Sequence, residues 1–251
     1  MAGHSHWAKI KRSKAAVDAK RGKVWSKLAR RIIVAAKHGG GKPEENLQLR
    51  YAIDEAKAAN MPNDTIDKAI KKGTGELGSE TYEEVVYEGY AAGGVAVMVE
   101  ALTDNRNRTA PEMRKLFERS GGQLGASNSV AWMFDRKGTF AVAAEMADED
   151  TLMEIALEAG ADDVRLEGDS FEITCQVAAF SAVRQALADR KIETVSAEIA
   201  MVPKSTISVE GEKARQVLAL VESLEDHDDV QHVYANFDIP DSALAELDRQ
   251  G

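Results

Sequence analysis

The stretch TFAVAAEMADEDTLMEIALEAGADDVRLEGDSFEITC, residues 139–175, decides the fold. It opens with a short apolar strand pattern, continues with apolar residues at helical spacing over 148–160, and closes with two strands that meet at a Gly-Asp turn. A second helical pattern (178–190) and a last strand (194–202) complete the order β-α-β-β-α-β. Because this order is the ferredoxin-like arrangement, residues 138–202 are predicted to form one α+β domain.

The segment before this domain mixes strands and a helix. Residues 82–103 predict two strands around the sequence AAGG, which favours a hairpin. Residues 107–122 predict a helix capped by Thr109, with Glu112 completing a capping box. The sequence SVAWMFDRKG (129–138) then predicts one more strand followed by a turn.

The segment after the ferredoxin-like order is too short to fold alone. It contains a short strand, one helix pattern (212–226) and a final strand. We therefore expect these elements to join the earlier strands, so that 76–137 and 203–240 form a discontinuous α+β domain. Residues 138–202 would be inserted into this domain, and 241–251 would form a C-terminal tail.

The first 75 residues predict three helices. KVWSKLARRIIVAAKH (23–38) and ENLQLRYAIDEAKAAN (45–60) are followed by DTIDKAIKKG (64–73), for which Asn63 is the expected cap. A Gly-rich linker over 73–80 then separates a basic three-helix domain, 1–75, from the rest. The residues expected to face the core of the first two helices are Val24, Trp25, Leu28, Ile32, Ile33, Ala35, Leu47, Tyr51, Ile53 and Ala56.

The charge of the chain is strongly partitioned. The whole chain of 251 residues has a formal net charge of -10, yet residues 1–38 contain eleven Lys and Arg against one acid. Residues 39–75 have no net charge, and the residues after 75 include 15 basic and 35 acidic ones. Such asymmetry indicates a polyanionic partner for the basic part, whereas a solvated surface helix would usually mix both signs.

Composition excludes several other classes. With 44% hydrophobic and 29% charged residues the sequence is typical of a globular protein, and no apolar run reaches the length of a membrane span. The single cysteine, Cys175, fits a reducing cytoplasm and is expected to be buried and inert. No GxSxG, HExxH or phosphate-loop motif occurs, and the histidines do not form a zinc-ligand set. We therefore expect no catalytic residue, metal, cofactor or small-molecule substrate, and a monomer.

The basic arm and first helix are the strongest candidate site. Long flexible cations along a stripe can contact successive phosphates without reading base sequence. The predicted nucleic-acid-binding residues are Lys9, Lys11, Arg12, Lys14, Lys20, Arg21, Lys23, Lys27, Arg30 and Arg31.

A second anion site is predicted near the helix over 107–122. Arg106 and Arg108 precede the expected helix N-terminus, and Arg114 lies along the helix. Arginines beside a helix N-terminus can bind an anion. The alternative is that they pair with acids of the same domain, and the sequence leaves both open.

Four other segments have two interpretations each. The Gly-rich SGGQLGASNS (120–129) could cradle a phosphate or simply follow a helix, and EDHDD (225–229) could bind Mg²⁺ or form a solvated turn. The loop 58–64 could be a tip that enters an RNA cavity or a proline-terminated turn. His4 and His6 could bind a metal, although hydrogen bonding or phosphate contact fits them better.

Long motifs in this chain resemble one family. GHSHWAKIKRSKAAVDAKRGKVWSKLARRI, NMPNDTIDKAIKKG, YEGYAAGGVAVMVEALTDNRNRT, GGQLG and SLEDHDDVQHVYANFD together resemble the YebC/PmpR family over nearly the whole chain. His6 stands where many relatives have Lys. The resemblance implies a three-helix N-terminal domain and two α+β domains, with the ferredoxin-like one inserted into the other. This agrees with the order derived above.

The resemblance also implies a function. It points to a cytoplasmic DNA-binding regulator of transcription. Relatives similar to the mitochondrial translational activator of cytochrome oxidase point instead to a factor that binds ribosomal RNA or tRNA on the ribosome and assists synthesis of difficult sequences such as proline runs. An enzyme is the third class, and no motif in the sequence favours it.

Overall fold

The computed structural model describes residues 19–78, 81–240 and 242–243, with side chains from residue 22 onward. The helices are α1 (Ala19–Gly39), α2 (Leu47–Ala58), α3 (Asn63–Gly73), α4 (Arg106–Arg119), α5 (Glu149–Glu158), α6 (Phe180–Asp189) and α7 (Gly211–Glu225). The strands are β1 (Glu83–Tyr90), β2 (Ala96–Thr103), β3 (Gln123–Leu124), β4 (Phe134–Ala143), β5 (Ala161–Glu167), β6 (Ser170–Gln176), β7 (Ser196–Pro203), β8 (Ile207–Ser208), β9 (Val230–Ala235) and β10 (Phe237–Asp238).

Helices α1, α2 and α3 form the helical unit around their own apolar core. Ile32 of α1 and Leu49 of α2 are fully buried at its centre. Asn46 caps α2 by accepting from the backbone N–H of Leu49 at 3.1 Å, and its amide donates to the carbonyl of Ala35 at 2.8 Å. A side chain that both caps one helix and binds another fixes how the two helices face each other.

Three local expectations for the helical unit are wrong. Leu47, expected in the core, is 53% exposed, because the Asn46 cap turns Leu49 and Ile53 inward instead. Val24 is also exposed. Asn63 is the first residue of α3 rather than its cap, and no side chain caps this helix.

The middle unit is a four-stranded antiparallel sheet in the order β3-β1-β2-β9, with α4 and α7 packed on one face. A short parallel pair, β8 with β10, lies beside it. The elements after residue 203 therefore do join those before 134, since β9 pairs with β2.

Helix α4 begins four residues earlier than a Thr109 cap would allow. Asn105 is the cap and accepts from the N–H of Arg108 at 3.1 Å. Thr109 is instead fully buried inside the helix, where its hydroxyl binds Asp229. Arg106 and Arg108 consequently lie in the first turn of α4 and do not precede it.

The inserted unit has the predicted ferredoxin-like order of elements. Its sheet runs β5-β6-β4-β7, and α5 and α6 contribute to its core cluster. The turn predicted near Gly138 is absent, because β4 is one unbroken strand of ten residues. A Cβ at Gly138 would lie 2.7 Å from both the Cys175 sulfur and the Phe180 ring, so this glycine allows close packing and does not mark a turn. The α+β class, with a helical unit and one α+β unit inserted into another, is confirmed.

Candidate nucleic-acid interface

The cationic side of α1 faces the end of α7. Lys27 Nζ donates to the carbonyl oxygen of Glu225 at 2.6 Å, and Lys23 Nζ donates to that of Asp226 at 3.3 Å. Arg30 donates to the carbonyl oxygen of Asp228. The last carbonyls of a helix have no partner within the helix and form the negative end of its dipole. The end of α7 and the segment after it are therefore a natural acceptor surface for these three cations.

Asp229 joins α1 to α4. Its carboxylate is 2% exposed and accepts from Arg30 at 2.9 Å, from Arg108 at 2.8 Å and from the Thr109 hydroxyl at 2.7 Å. Burial raises the pKa of Asp229, but the hydrogen bonds from Arg108 and Thr109 and the charges of Arg108 and Arg30 outweigh burial and lower its pKa below the ordinary value. Asp229 is therefore an ionised carboxylate shared by two units.

Arg31 completes this contact. Its guanidinium donates to the side-chain oxygen of Gln231 at 3.1 Å and contacts the ring of His232, both on β9. It also pairs with Glu55 of α2. Four cations of α1 therefore bind the end of α7, the segment after it or β9: Lys23, Lys27, Arg30 and Arg31.

Four of the ten predicted nucleic-acid-binding residues therefore make hydrogen bonds within the protein. Lys9, Lys11, Arg12 and Lys14 lie outside the described residues, and for Lys20 and Arg21 only the backbone, within α1, is described.

The predicted second anion site divides into two parts. Arg108 pairs with Asp104 at 3.0 Å as well as with Asp229, which is the alternative of pairing within the domain. Arg106 and Arg114 are exposed and make no hydrogen bond or ion pair with a described residue.

The end of the Gly-rich segment and the two residues after it bind a carboxylate of the chain itself. The Glu88 carboxylate, on β1, is 5% exposed and accepts from the backbone N–H groups of Asn128 (2.7 Å), Val130 (2.8 Å) and Ala131 (2.7 Å). The Asn128 donor of the segment 120–129 is therefore taken by Glu88, whereas Val130 and Ala131 lie just beyond that segment. Sequence reasoning missed Glu88, and the signal was an acid among apolar residues in a predicted strand.

The EDHDD run supplies part of a carboxylate and histidine cluster whose ligand atoms are already bound by other groups of the protein. Ligand atoms of Glu112, His227 and Asp229 lie within 4.8 Å of one another. The N–H of Asp229 donates to Nδ1 of His227 at 3.1 Å, which places the ring proton on Nε2, toward Glu112 at 3.0 Å. Both ring nitrogens are occupied, and two guanidinium groups already bind Asp229. The run is also more than a solvated turn, because it contacts α1.

A second contact attaches the helical unit to the inserted unit. The Tyr51 ring of α2 meets the Phe180 ring of α6 edge to face, with centroids 6.0 Å apart, and its hydroxyl lies 3.0 Å from that of Ser181. A cleft of about 770 Å³ lies beside this contact, between the three units. Its wall mixes apolar residues with charges of both signs, including Arg136 and Glu198.

In the loop 58–64 the Met61 side chain is packed inward, while Pro62, Asn63 and Asp64 are exposed. Met61 is 4% exposed, and the Ala59 carbonyl accepts from Trp25 Nε1 at 3.0 Å. Asn60 adopts a positive φ of 55°, which lets the chain reverse between α2 and α3.

Among the helices that the structure describes, none combines the length and the apolar composition that a membrane span requires.

Comparison with known proteins gives consistent matches. Residues 5–76 match the TACO1/YebC N-terminal domain, and residues 82–237 match the TACO1/YebC second and third domain. A probable transcriptional regulatory protein of Natranaerobius thermophilus is 55% identical, with 97% of this chain and 99% of the relative covered. One of Pelotomaculum thermopropionicum is also 55% identical, with 96% and 100% covered. The crystal structure of a conserved hypothetical protein from Aquifex aeolicus matches with a TM-score of 0.85 at 50% identity, covering 94% of this chain and 98% of that one.

Proposed function

Because the chain belongs to the TACO1/YebC family, whose similar members are named probable transcriptional regulatory proteins, we propose that it regulates gene expression by binding nucleic acid. The observation that carries this proposal is the charge partition. An excess of ten positive charges in residues 1–38 belongs to a chain whose residues after 75 carry an excess of twenty negative ones. The basic arm binds phosphates, and the acidic remainder limits nonspecific contact.

Binding is through phosphates and not through base edges. A helix that reads the major groove presents its N-terminal residues to the bases. In α3, the third helix of the helical unit, the exposed residues near that end include Asp64 and Asp67, which a nucleic-acid backbone would repel. The cations lie on α1 and the preceding arm instead, so affinity is expected to depend on salt and little on sequence.

The first candidate ligand is duplex DNA, in keeping with the names of the relatives. The acids at the start of α3 favour a second candidate, structured RNA such as rRNA or tRNA on the ribosome, because a protein without a base-reading helix suits either phosphate backbone. We place this role in the cytoplasm and assign it to a monomer without cofactor or catalytic activity.

The test compares both ligands over a salt series. The full chain is titrated with mixed-sequence duplex DNA and with bulk tRNA, and the K9E/K11E variant is compared with the matched control R190E/K213E, which reverses two exposed cations elsewhere. If Lys9 and Lys11 each contact a phosphate, the slope of log binding constant against log salt concentration on DNA should become shallower by about two in K9E/K11E. The slope of the control should stay unchanged. Tighter binding to tRNA at equal salt would favour the RNA candidate. Equal behaviour of the two variants, or no salt-dependent binding, would refute the assigned site.

A further inference from the structure

We propose that the acidic segment, residues 225–229 (EDHDD), is an internal competitor for nucleic acid: it covers the cations of α1 until a polyanion displaces it. This inference rests on the proposed function, since it describes how that same site is regulated. It makes binding and a movement of the helical unit two parts of one equilibrium.

The acidic segment offers α1 the same kind of partner that a phosphate backbone does. Two carbonyl oxygens at the negative end of α7, the carbonyl oxygen of Asp228 just beyond it and one carboxylate oxygen of Asp229 accept from Lys23, Lys27 and Arg30. These cations are spaced along one face of α1, so a phosphate backbone following that face would need the same donors. One cation cannot donate the same N–H groups to both, and the two partners therefore compete.

The contact between α1 and the end of α7 is mostly polar. Within the described part of the chain, the buried apolar cluster of the middle unit contains no residue of α1, and the buried core of the helical unit is made by its own helices and the α2–α3 connection, with Tyr82 packed against it from outside. Charges and carbonyls thus dominate the contact, and Arg30 remains 21% exposed. Ion pairs at the surface contribute little and weaken as salt rises. The apolar contacts that opening must also release are those of Tyr82 with the helical core and of Tyr51 with Phe180.

Asp229 keeps hydrogen-bond partners within the middle unit when α1 leaves, although Gln231 and His232 lose their contacts with Arg31. Asp229 is buried, and a buried carboxylate without partners would strongly oppose opening. Arg108 and Thr109, both on α4, keep their hydrogen bonds to it at 2.8 and 2.7 Å. Because two of its three side-chain partners belong to its own unit, loss of Arg30 leaves no orphaned charge.

The first test measures the movement. Spin labels at K68C on α3 and E222C on α7, both exposed positions, report the distance between the helical and middle units, while the native Cys175 is fully buried. Adding bulk tRNA or duplex DNA, whichever the unlabelled chain binds, should move the label distance distribution. Binding without a change in distance would overturn the competition.

The second test weakens the competitor without touching α1. The D226K/D228K variant places two lysines at exposed positions of the acidic segment, where they repel α1, and E154K/E158K on α5 makes the same change of net charge at exposed positions far along the chain. We expect D226K/D228K to bind the polyanion about threefold or more tighter than the control variant, and its labels to separate even without polyanion.

The outcomes separate the two proposals. If the wild-type chain binds neither ligand, the proposed function fails and the competition fails with it. If it binds, but D226K/D228K behaves as the control does, only the competition is wrong. Tighter binding with labels that stay in place would mean that the new lysines contact the polyanion directly, which also overturns the competition.

Discussion

Replacing Asp229 tests the junction between α1, α4 and the acidic segment. In D229A, Arg30, Arg108 and the Thr109 hydroxyl all lose their shared acceptor. Breaking a buried ion pair costs about 3–5 kcal/mol in general. Here Arg30 and Arg108 are 21% and 43% exposed, so water can replace part of what they lose, and only Thr109 stays dry. We therefore expect D229A to lower the free energy of unfolding by about 3 kcal/mol, and D229N, which keeps the shape but not the charge, by about 2 kcal/mol.

Urea unfolding followed by circular dichroism measures both values, and D228N is the matched control. The Asp228 side chain is exposed, and it is the backbone carbonyl of that residue that binds Arg30, so D228N should lie within about 0.5 kcal/mol of wild type. Equal effects of D228N and D229N would show that overall charge, and not the buried carboxylate, stabilises this junction.

The same residue predicts a pH dependence with a definite sign. The folded-state pKa of Asp229 lies below its ordinary value of 3.8, because its hydrogen bonds and the neighbouring guanidinium charges outweigh its burial. Its contribution to stability is therefore complete at neutral pH and is lost as the pH falls below about 3.8 through the folded-state pKa. Wild type and D229N should differ by a constant amount from pH 7 down to about pH 5 and converge only at lower pH. Convergence already near pH 6 would contradict the assignment.

Two further pairs of variants test the packing described above. E88Q should lower the free energy of unfolding by about 2 kcal/mol and speed hydrogen exchange of the loop amides that the Glu88 carboxylate binds. The control E84Q, at an exposed position, should do neither. Equal exchange in the two variants would mean that the loop holds its shape without Glu88. G73A places a Cβ about 2.5 Å from the Ile33 carbonyl and should lower the melting temperature, while G22A, with no atom within 4 Å of the new Cβ, should raise it because alanine favours the helix by about 1 kcal/mol. A melting temperature unchanged in G73A would show that α3 can shift away from α1.

The order of elements could be predicted from the sequence because each unit carries its own periodicity. The ferredoxin-like order and the return of the late elements to the earlier strands are both predicted, and the structure confirms them. Pairing of the last strand with β2 in particular, and the start of the inserted sheet at Phe134 rather than 138, could not be predicted from the local patterns. Side-chain details that depend on another element could not be predicted. Thr109 fits a capping box by sequence, but Asn105 caps α4 because Thr109 is needed inside to bind Asp229, 120 residues away.

Glycine positions show the same limit. Gly138 follows two charged residues and favours a turn by composition, yet it lies within a strand where Cys175 and Phe180 approach too closely for a Cβ. The signal for close approach lies in residues distant in sequence, so local pattern alone assigns a turn.

The charge of the candidate site could be predicted from the sequence, but its contact with the acidic segment of the same chain could not. Composition identifies Lys23, Lys27, Arg30 and Arg31 as an unusual cluster of cations, and it identifies EDHDD as an unusual cluster of acids. That the two clusters meet depends on how the helical unit docks at the end of α7, which no local pattern encodes. The contribution of the arm residues, Lys9 to Arg21, to nucleic-acid binding stays a prediction.

The ladder between β4 and β7 bears on how the chain tolerates its own insertion. Phe134 is directly opposite Pro203, so the chain enters and leaves the inserted unit at neighbouring points. For the middle unit, the intervening residues act as a long loop whose ends are already held together. Since each doubling of an open loop costs only about 0.6 kcal/mol, and a folded insertion closes its own ends, the sheet of the middle unit accommodates a whole extra unit at almost no cost in chain entropy. The same geometry makes this junction the place where a tight turn could substitute for the insertion and leave β1, β2 and β9 able to pair.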